Sequence, residues 1–373
     1  MQVDRRAVRN FDWLLFSLVL FAATAGVLTI FSATRPLEGM PHPNFYIKQI
    51  IWTVAGIGAM LLTIKIDYRR LERFAVALYM MGLLLLVFVL VRGRMGMGAE
   101  RWISLGGISF QPSEVFKLVY IIMLARYFSM VEAPLDTRRF MKMLPFLAFL
   151  PFLLLVKQPD LGTAAAMCMV FLFLCIARGM SKKLVAALLI FGIVSAPFLW
   201  NIFWNRFLKG YQRDRIVAFL DPGADTSGIG YNINQSKIAI GSGMVLGKGY
   251  LKGTQGPFRF LPENHTDFIF SVFAEEWGFA GCLVLLAVYL AILLRALDTA
   301  RQAKDEFGGM LALGVAFMFA IYFFLNIGMA MGMMPVVGIP LPFMSYGGTA
   351  VLSNYVAVGL LINVRMRRFE LFY

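Results

Sequence analysis

Long apolar runs, each bounded by charged or turn residues, follow one another from Trp13 to about Val364. A helix that crosses a bilayer needs roughly 17–25 mainly apolar residues. Ten segments are candidates: 13–33, 47–65, 74–92, 112–130, 143–157, 163–178, 184–203, 267–295, 309–333 and 347–364. The fifth and sixth are short. The turn between them, Lys157-Gln-Pro-Asp-Leu-Gly162, is expected to dip to membrane depth, where a polar loop is tolerable only if it lines a protein or water cavity. The pattern predicts an all-α, polytopic integral membrane protein with ten transmembrane helices. It forms one domain over 1–373, with a long extracytoplasmic loop, 205–266, between spans seven and eight. No repeat of 20–50 residues and no low-complexity tract interrupts it.

Composition agrees. Hydrophobic residues make up 60% and charged residues 15%, against roughly 45–50% and roughly 25% in soluble domains. Soluble enzymes, coiled coils and disordered chains are excluded. Cys168, Cys175 and Cys282 all lie in apolar runs, as small buried hydrophobes rather than a disulfide framework or metal site. The two histidines, His42 and His265, are too few for a histidine-based metal cluster. The first apolar run follows Arg5, Arg6 and Arg9 and is longer than a signal-peptide core, so it reads as a retained first helix.

The net charge of +14 orients the chain in the bilayer. With a cytoplasmic N-terminus, only Arg35, Lys48, Arg92, Arg94, Arg101 and Lys157 fall in short outer loops and span ends. Every inner segment is basic, from Arg69, Arg70 and Arg73 to Arg365, Arg367 and Arg368. That is the positive-inside pattern, with both termini cytoplasmic. The loop 205–266 is polar, glycine-rich and itself basic, and long loops on rigid scaffolds frequently carry function.

Four clusters gather chemistry at the outer side, where ionisable groups in or near spans are functional candidates. The first runs from Arg101-Trp102 to Gln111-Pro112-Ser113-Glu114 and Lys117. Pro112 suits a first helical turn, which sets Glu114 and Lys117 three apart on one face. The plainer alternative is a self-neutralising pair that lets a helix enter lipid. The second is Gln158-Pro-Asp160, in which Asp160 also suits a helix cap. The third is Pro262-Glu263-Asn264-His265-Thr266-Asp267, whose aspartate stands where loop meets span and would equally suit a cap. The fourth, Pro340 to Thr349 with Ser345, is polar and uncharged, and taken alone reads as a turn.

Two motifs fail. The run Gly241-Ser242-Gly243 to Gly247-Lys248-Gly249 imitates a phosphate-binding loop, but Ser242 replaces its first glycine and Gly249 its Ser/Thr. Its glycines are expected to permit tight turns or close backbone approach to a ligand. A basic outer loop with interleaved aromatics on such a protein gives no reason to expect nucleic acid.

Together Gln111-Pro-Ser-Glu114-x-x-Lys117, Gln158-Pro-Asp-Leu-Gly-Thr163, Gln235 to Gly243, Gly247-Lys-Gly249, Gly253-Thr-Gln255, Phe260 to Phe270 and Ser345-Tyr-Gly-Gly348 resemble the SEDS family (shape, elongation, division and sporulation). Gln158-Pro-Asp and Gly253-Thr-Gln resemble its elongation, rod-shape branch rather than its division branch. Met244 stands where a second glycine is usual.

The resemblance implies a peptidoglycan glycosyltransferase that polymerises lipid II at the outer face of the cytoplasmic membrane and releases undecaprenyl diphosphate. It implies Asp267 as the essential aspartate, here assigned as catalytic base. Glu114, Lys117 and Asp160 would shape a polar cavity with Trp102, Gln111 and Ser345, and Arg101, Lys117, Arg213, Arg215 and Lys237 would supply cations for the diphosphate. A divalent cation, Mg²⁺ or Mn²⁺, would fit as helper, held by a carboxylate and diphosphate oxygens. The implied partners are a class B penicillin-binding protein and other membrane proteins of the elongation complex. The rival class is a lipid II flippase. It is disfavoured because the charged groups gather on the outer side, without a mirrored inner site or an inverted repeat. A third class, a scaffold that only organises a cell-wall complex, would leave Asp267 dispensable.

Overall fold

The computed structural model describes residues 10–35, 44–92, 94–96, 99–105, 108–202, 204–205, 210–221, 228–257 and 260–368. Arg5, Arg6, Arg9, Arg206, Lys209 and Arg259 therefore lie outside the described residues. The helices are α1 (Trp13–Ala33), α2 (Phe45–Lys65), α3 (Tyr68–Arg92), α4 (Pro112–Met130), α5 (Thr137–Lys157), α6 (Leu161–Ala177), α7 (Lys182–Ile202), α8 (Gly210–Leu220), α9 (Ile229–Ser242), α10 (Ile269–Arg301), α11 (Glu306–Ala330) and α12 (Gly348–Met366). Seven of them, α1, α2, α3, α5, α10, α11 and α12, are long and apolar enough to cross a membrane. The other expected spans coincide with α4, which carries Glu114, Lys117 and Arg126, with α6, only 17 residues long, and with α7.

Two stretches expected as loop have regular structure. Between α3 and α4 runs a small antiparallel meander of β1 (Arg94–Gly96), β2 (Ala99–Leu105) and β3 (Ile108–Phe110). The segment 205–266 contains α8 and α9. The first departs from a purely helical chain, and none of these strands and helices is as long as a span, the length at which hydropathy registers an element.

α12 and α11 are the most buried spans, and α1, α2 and α3 turn much of their apolar surface outward, as lipid-facing helices do. One end of the bundle is stitched by charge. Asp12 caps α1 by accepting from Leu15 N at 3.0 Å, and its carboxylate pairs with Arg295 at 3.0 Å and Arg365 at 3.1 Å. Arg365 also pairs with Asp298 at 2.7 Å. These arginines, which orient the chain in the sequence, thus also tie α1, α10 and α12 together at that end.

α10 is broken near its other end, where Gly278 takes φ 63° and ψ −167°. A break in a helix frees backbone groups that must find partners elsewhere. The glycine run supplies them. Phe279 N donates to Met244 O and Ala280 N to Val245 O, both at 2.9 Å. In return Lys248 N and Gly249 N donate to Glu275 O and Glu276 O, both at 3.0 Å. A Cβ on Gly247 would lie 2.1 Å from Glu276 O. The close approach expected of these glycines is therefore to the helix backbone. Met244 sits at φ 50° with its side chain exposed, the left-handed conformation that favours glycine.

Candidate functional site

At the end of the bundle away from the Asp12 cluster lies a cavity of about 760 Å³, a size typical of small-ligand sites. Its walls come from α2, the meander, α8, the starts of α4, α6 and α12, Tyr322 of α11 and the loops before α10 and α12.

α4 enters with Gln111 extended at its N-cap and Pro112 in the first turn, as its sequence requires. Glu114 lines the cavity. Lys117 stands one turn further in, its Nζ 2.6 Å from Glu114 Oε2, with both side chains almost wholly buried. Lys117 also donates to Asn354 Oδ1 at 3.3 Å and sits 4.6 Å from the centre of the Tyr322 ring. Ser353 Oγ donates to the same Glu114 oxygen at 3.2 Å. Lys117 does not line the cavity. It faces the site through Glu114, because the helix directs position 117 into the core between α11 and α12.

Asp160 is placed likewise. It caps α6 by accepting from Thr163 N at 3.4 Å, and it accepts from Ser113 Oγ at 3.0 Å and Gln111 Nε2 at 3.2 Å. Capping and cavity building coincide: buried itself, Asp160 braces Gln111 and Thr163, which do line the cavity.

Asp267 differs. α10 starts at Ile269 with Phe268 at its N-cap and no side-chain cap hydrogen bond. The backbone of Asp267 is held by Asn326 Nδ2, which donates to its carbonyl at 3.0 Å. Its carboxylate lines the cavity beside the Arg215 guanidinium from α8. A Cβ placed on Gly338 would lie 3.4 Å from Asp267 Oδ2 and 3.5 Å from Arg215 Nη1, so acid and cation share one corner. Ser345 lies behind it, donating to Thr266 O at 2.6 Å and accepting from Leu341 N at 2.8 Å. It anchors the residue before Asp267 and does not itself line the cavity. Burial pushes the neighbouring His265 imidazole below its ordinary pKa, against the opposing pull of Glu263.

Of the remaining expected residues, Trp102 lines the cavity. Arg213 instead covers Trp204, 5.9 Å from its ring centre. Lys237 is exposed on α9 and rests against Gly332. Neither lines the cavity. Arg101 is placed only by its backbone, in β2.

Several residues were not anticipated. Lys48 and Trp52 of α2 line the cavity. Glu275, wholly buried, pairs with Lys248 at 2.6 Å and accepts from Thr254 N at 2.9 Å and Gln255 N at 3.2 Å. Adjacent acids inside an apolar run were the available signal for Glu275. For Lys48 and Trp52 the signal was weaker, since a lysine at a span end reads as an interfacial anchor. Among the described residues no cluster of three or more His, Cys, Asp or Glu could hold a metal ion. A divalent cation would therefore need substrate oxygens beside Glu114 or Asp267.

A bundle with seven helices long and apolar enough to cross a membrane, and with a polar, carboxylate-bearing cavity at one end, defines a multi-pass membrane protein. Over residues 12–370 the sequence matches the model of the FtsW/RodA/SpoVE family, described as cell cycle proteins, and the chain belongs to that family. It is 39% identical over 355 residues to the peptidoglycan glycosyltransferase MrdB of Escherichia coli K12, covering 95% of this chain and 92% of that protein. Its structure resembles a chain from a peptidoglycan synthase complex that coordinates polymerization and crosslinking. The TM-score is 0.81 at 30% identity, over 96% of this chain and 99% of that one. It also resembles the rod shape determining protein RodA of Thermus thermophilus, with a TM-score of 0.70 at 29% identity, over 96% and 98%.

Proposed function

We propose that this chain is a peptidoglycan glycosyltransferase that polymerises lipid II for cell elongation. The observation that carries the mechanism is the Asp267–Arg215 corner: a carboxylate just before α10 lines a cavity beside a cation. In the reaction Asp267 takes the proton of the acceptor GlcNAc 4-hydroxyl as that oxygen attacks the donor MurNAc anomeric carbon. The bond to undecaprenyl diphosphate breaks on the opposite face, and the α-linked donor becomes a β-1,4 linkage. Such a displacement needs a base on the attacking side and positive charge on the leaving side. A bound Mg²⁺ or Mn²⁺ would supply charge neutralisation there.

Ten spans, with α4, α6 and α7 added to the seven, put both termini in the cytoplasm and the cavity at the outer face of the cytoplasmic membrane. The basic inner segments support that orientation. A reporter fused after Tyr373 is expected to read cytoplasmic and one inserted at Ala224 to read outside; the reverse at either position overturns the orientation. A class B penicillin-binding protein, with other elongation-complex membrane proteins, is the expected partner set.

Purified protein in liposomes with labelled lipid II tests the activity. Polymer without transbilayer movement of lipid II is expected. Movement without polymer would make the chain a flippase, and neither would make it a scaffold.

A further inference from the structure

Four residues of α2 line the cavity at helical spacing: Lys48, Ile51, Trp52 and Ala55. Positions i, i+3, i+4 and i+7 form one stripe of a helix. The stripe is graded, with a cation at the start of the helix, an indole one turn on, and apolar residues beside and beyond it. Ile51 is 60% exposed and its neighbour Val54 65%, so the stripe borders the apolar outer surface of the bundle. Charge, ring and exposed apolar surface in sequence match an amphiphile with an anionic head.

Two details show a built surface. The Trp52 ring is seated on Gly348 of α12, where a Cβ would lie 2.5 Å from its Cε2 and 2.8 Å from its Nε1. Glycine at 348 is thus the space the indole occupies, and the seated ring offers the cavity a flat apolar surface, suited to the C–H face of a pyranose. Lys48, meanwhile, has no side-chain hydrogen bond or ion pair among the described residues, although Glu114, Glu263 and Asp267 line the same cavity. Among the described residues the lysines and arginines lining the cavity are Lys48 and Arg215, and Arg215 adjoins Asp267.

Forming one glycosidic bond between lipid-linked sugars brings two diphosphates to one cavity. We propose that Lys48 and Trp52 form a headgroup subsite separate from the Asp267–Arg215 corner. There the ammonium takes the diphosphate of one lipid-linked substrate and the indole takes the adjoining sugar. The inference rests on the glycosyltransferase reading and assigns it two further residues.

The test uses the purified full-length protein in liposomes, with two readouts: polymerisation kinetics on lipid II and equilibrium binding of labelled undecaprenyl diphosphate. Loss of a charge-assisted hydrogen bond is worth roughly tenfold or more in affinity. Lys48→Ala is expected to raise KM and weaken undecaprenyl diphosphate binding by about that factor, with the change in KM larger than that in kcat. Lys48→Arg restores most of both. Trp52→Leu raises KM and Trp52→Phe restores it. Unchanged KM and binding in Lys48→Ala, with a wild type that polymerises, overturns the subsite alone. Loss of phosphatidylglycerol binding in place of undecaprenyl diphosphate binding overturns it too, and gives the lysine to bulk lipid. A wild type that never polymerises, but whose undecaprenyl diphosphate binding depends on Lys48, sinks the glycosyltransferase reading and leaves the subsite standing.

Discussion

Asp267→Asn is expected to give a folded, membrane-inserted protein that no longer polymerises lipid II. Asparagine keeps the size of the side chain and caps helices about as well as aspartate. In the structure α10 begins two positions later, with Phe268 at its N-cap. What the substitution removes is the basic carboxylate in the cavity corner. Loss of a general base typically costs about 10²–10⁴ in rate. Binding of undecaprenyl diphosphate should survive in part, because Lys48 belongs to another wall. Rates of polymer formation by purified wild-type and variant protein, at matched folded protein, decide it. A variant that polymerises near the wild-type rate would sink Asp267 as the base.

The second large effect concerns Lys117. Its ammonium and the Glu114 carboxylate are paired at 2.6 Å with almost no solvent access. Removing one partner of a buried pair leaves the other charge uncompensated, at a typical cost of about 3–5 kcal/mol. Lys117→Ala should therefore lower thermal stability markedly and impair polymerisation. Lys252→Ala, at an exposed loop position, should change neither. Replacing both partners with apolar or neutral groups of similar volume, Glu114→Gln with Lys117→Met, is expected to recover much of the lost stability. If Lys117→Ala melts at the same temperature as Lys252→Ala, the pair contributes nothing to the fold. Activity that stays low in the stable double variant would tie the pair to the site as well as to the core. The effect on substrate runs through Glu114, since the lysine itself does not face the cavity.

Much of the architecture was legible because bilayer physics makes span length and loop charge local properties of the sequence. Runs such as Trp13–Ala33 and Glu306–Ala330 declare themselves as spans within a few residues of their observed ends. Pro112 marked the entry to α4, and the three-residue spacing of Glu114 and Lys117 already implied their pairing. Asp160 as a cap was likewise a local matter, decided by its place just before an apolar run.

What the chain alone left undecided depended on contacts between distant segments. Hydropathy could not tell that the glycines from Gly243 to Gly249 serve the backbone opened at Gly278, more than twenty residues later. Nor could it separate the basic residues of the outer side. Arg215 shares a cavity corner with Asp267, Arg213 lies on Trp204, Lys237 rests on Gly332, and Lys117 turns into the core. All four are the same kind of charge in the sequence. Which wall each one joins is fixed by how α4, α8 and α9 pack against α10, α11 and α12, and by the room a glycine leaves. The sequence by itself determined the bundle, its basic end and the acids at its other end. Only the tertiary packing decided which cations meet them, because a charge acts over a few ångströms and those distances are set between helices.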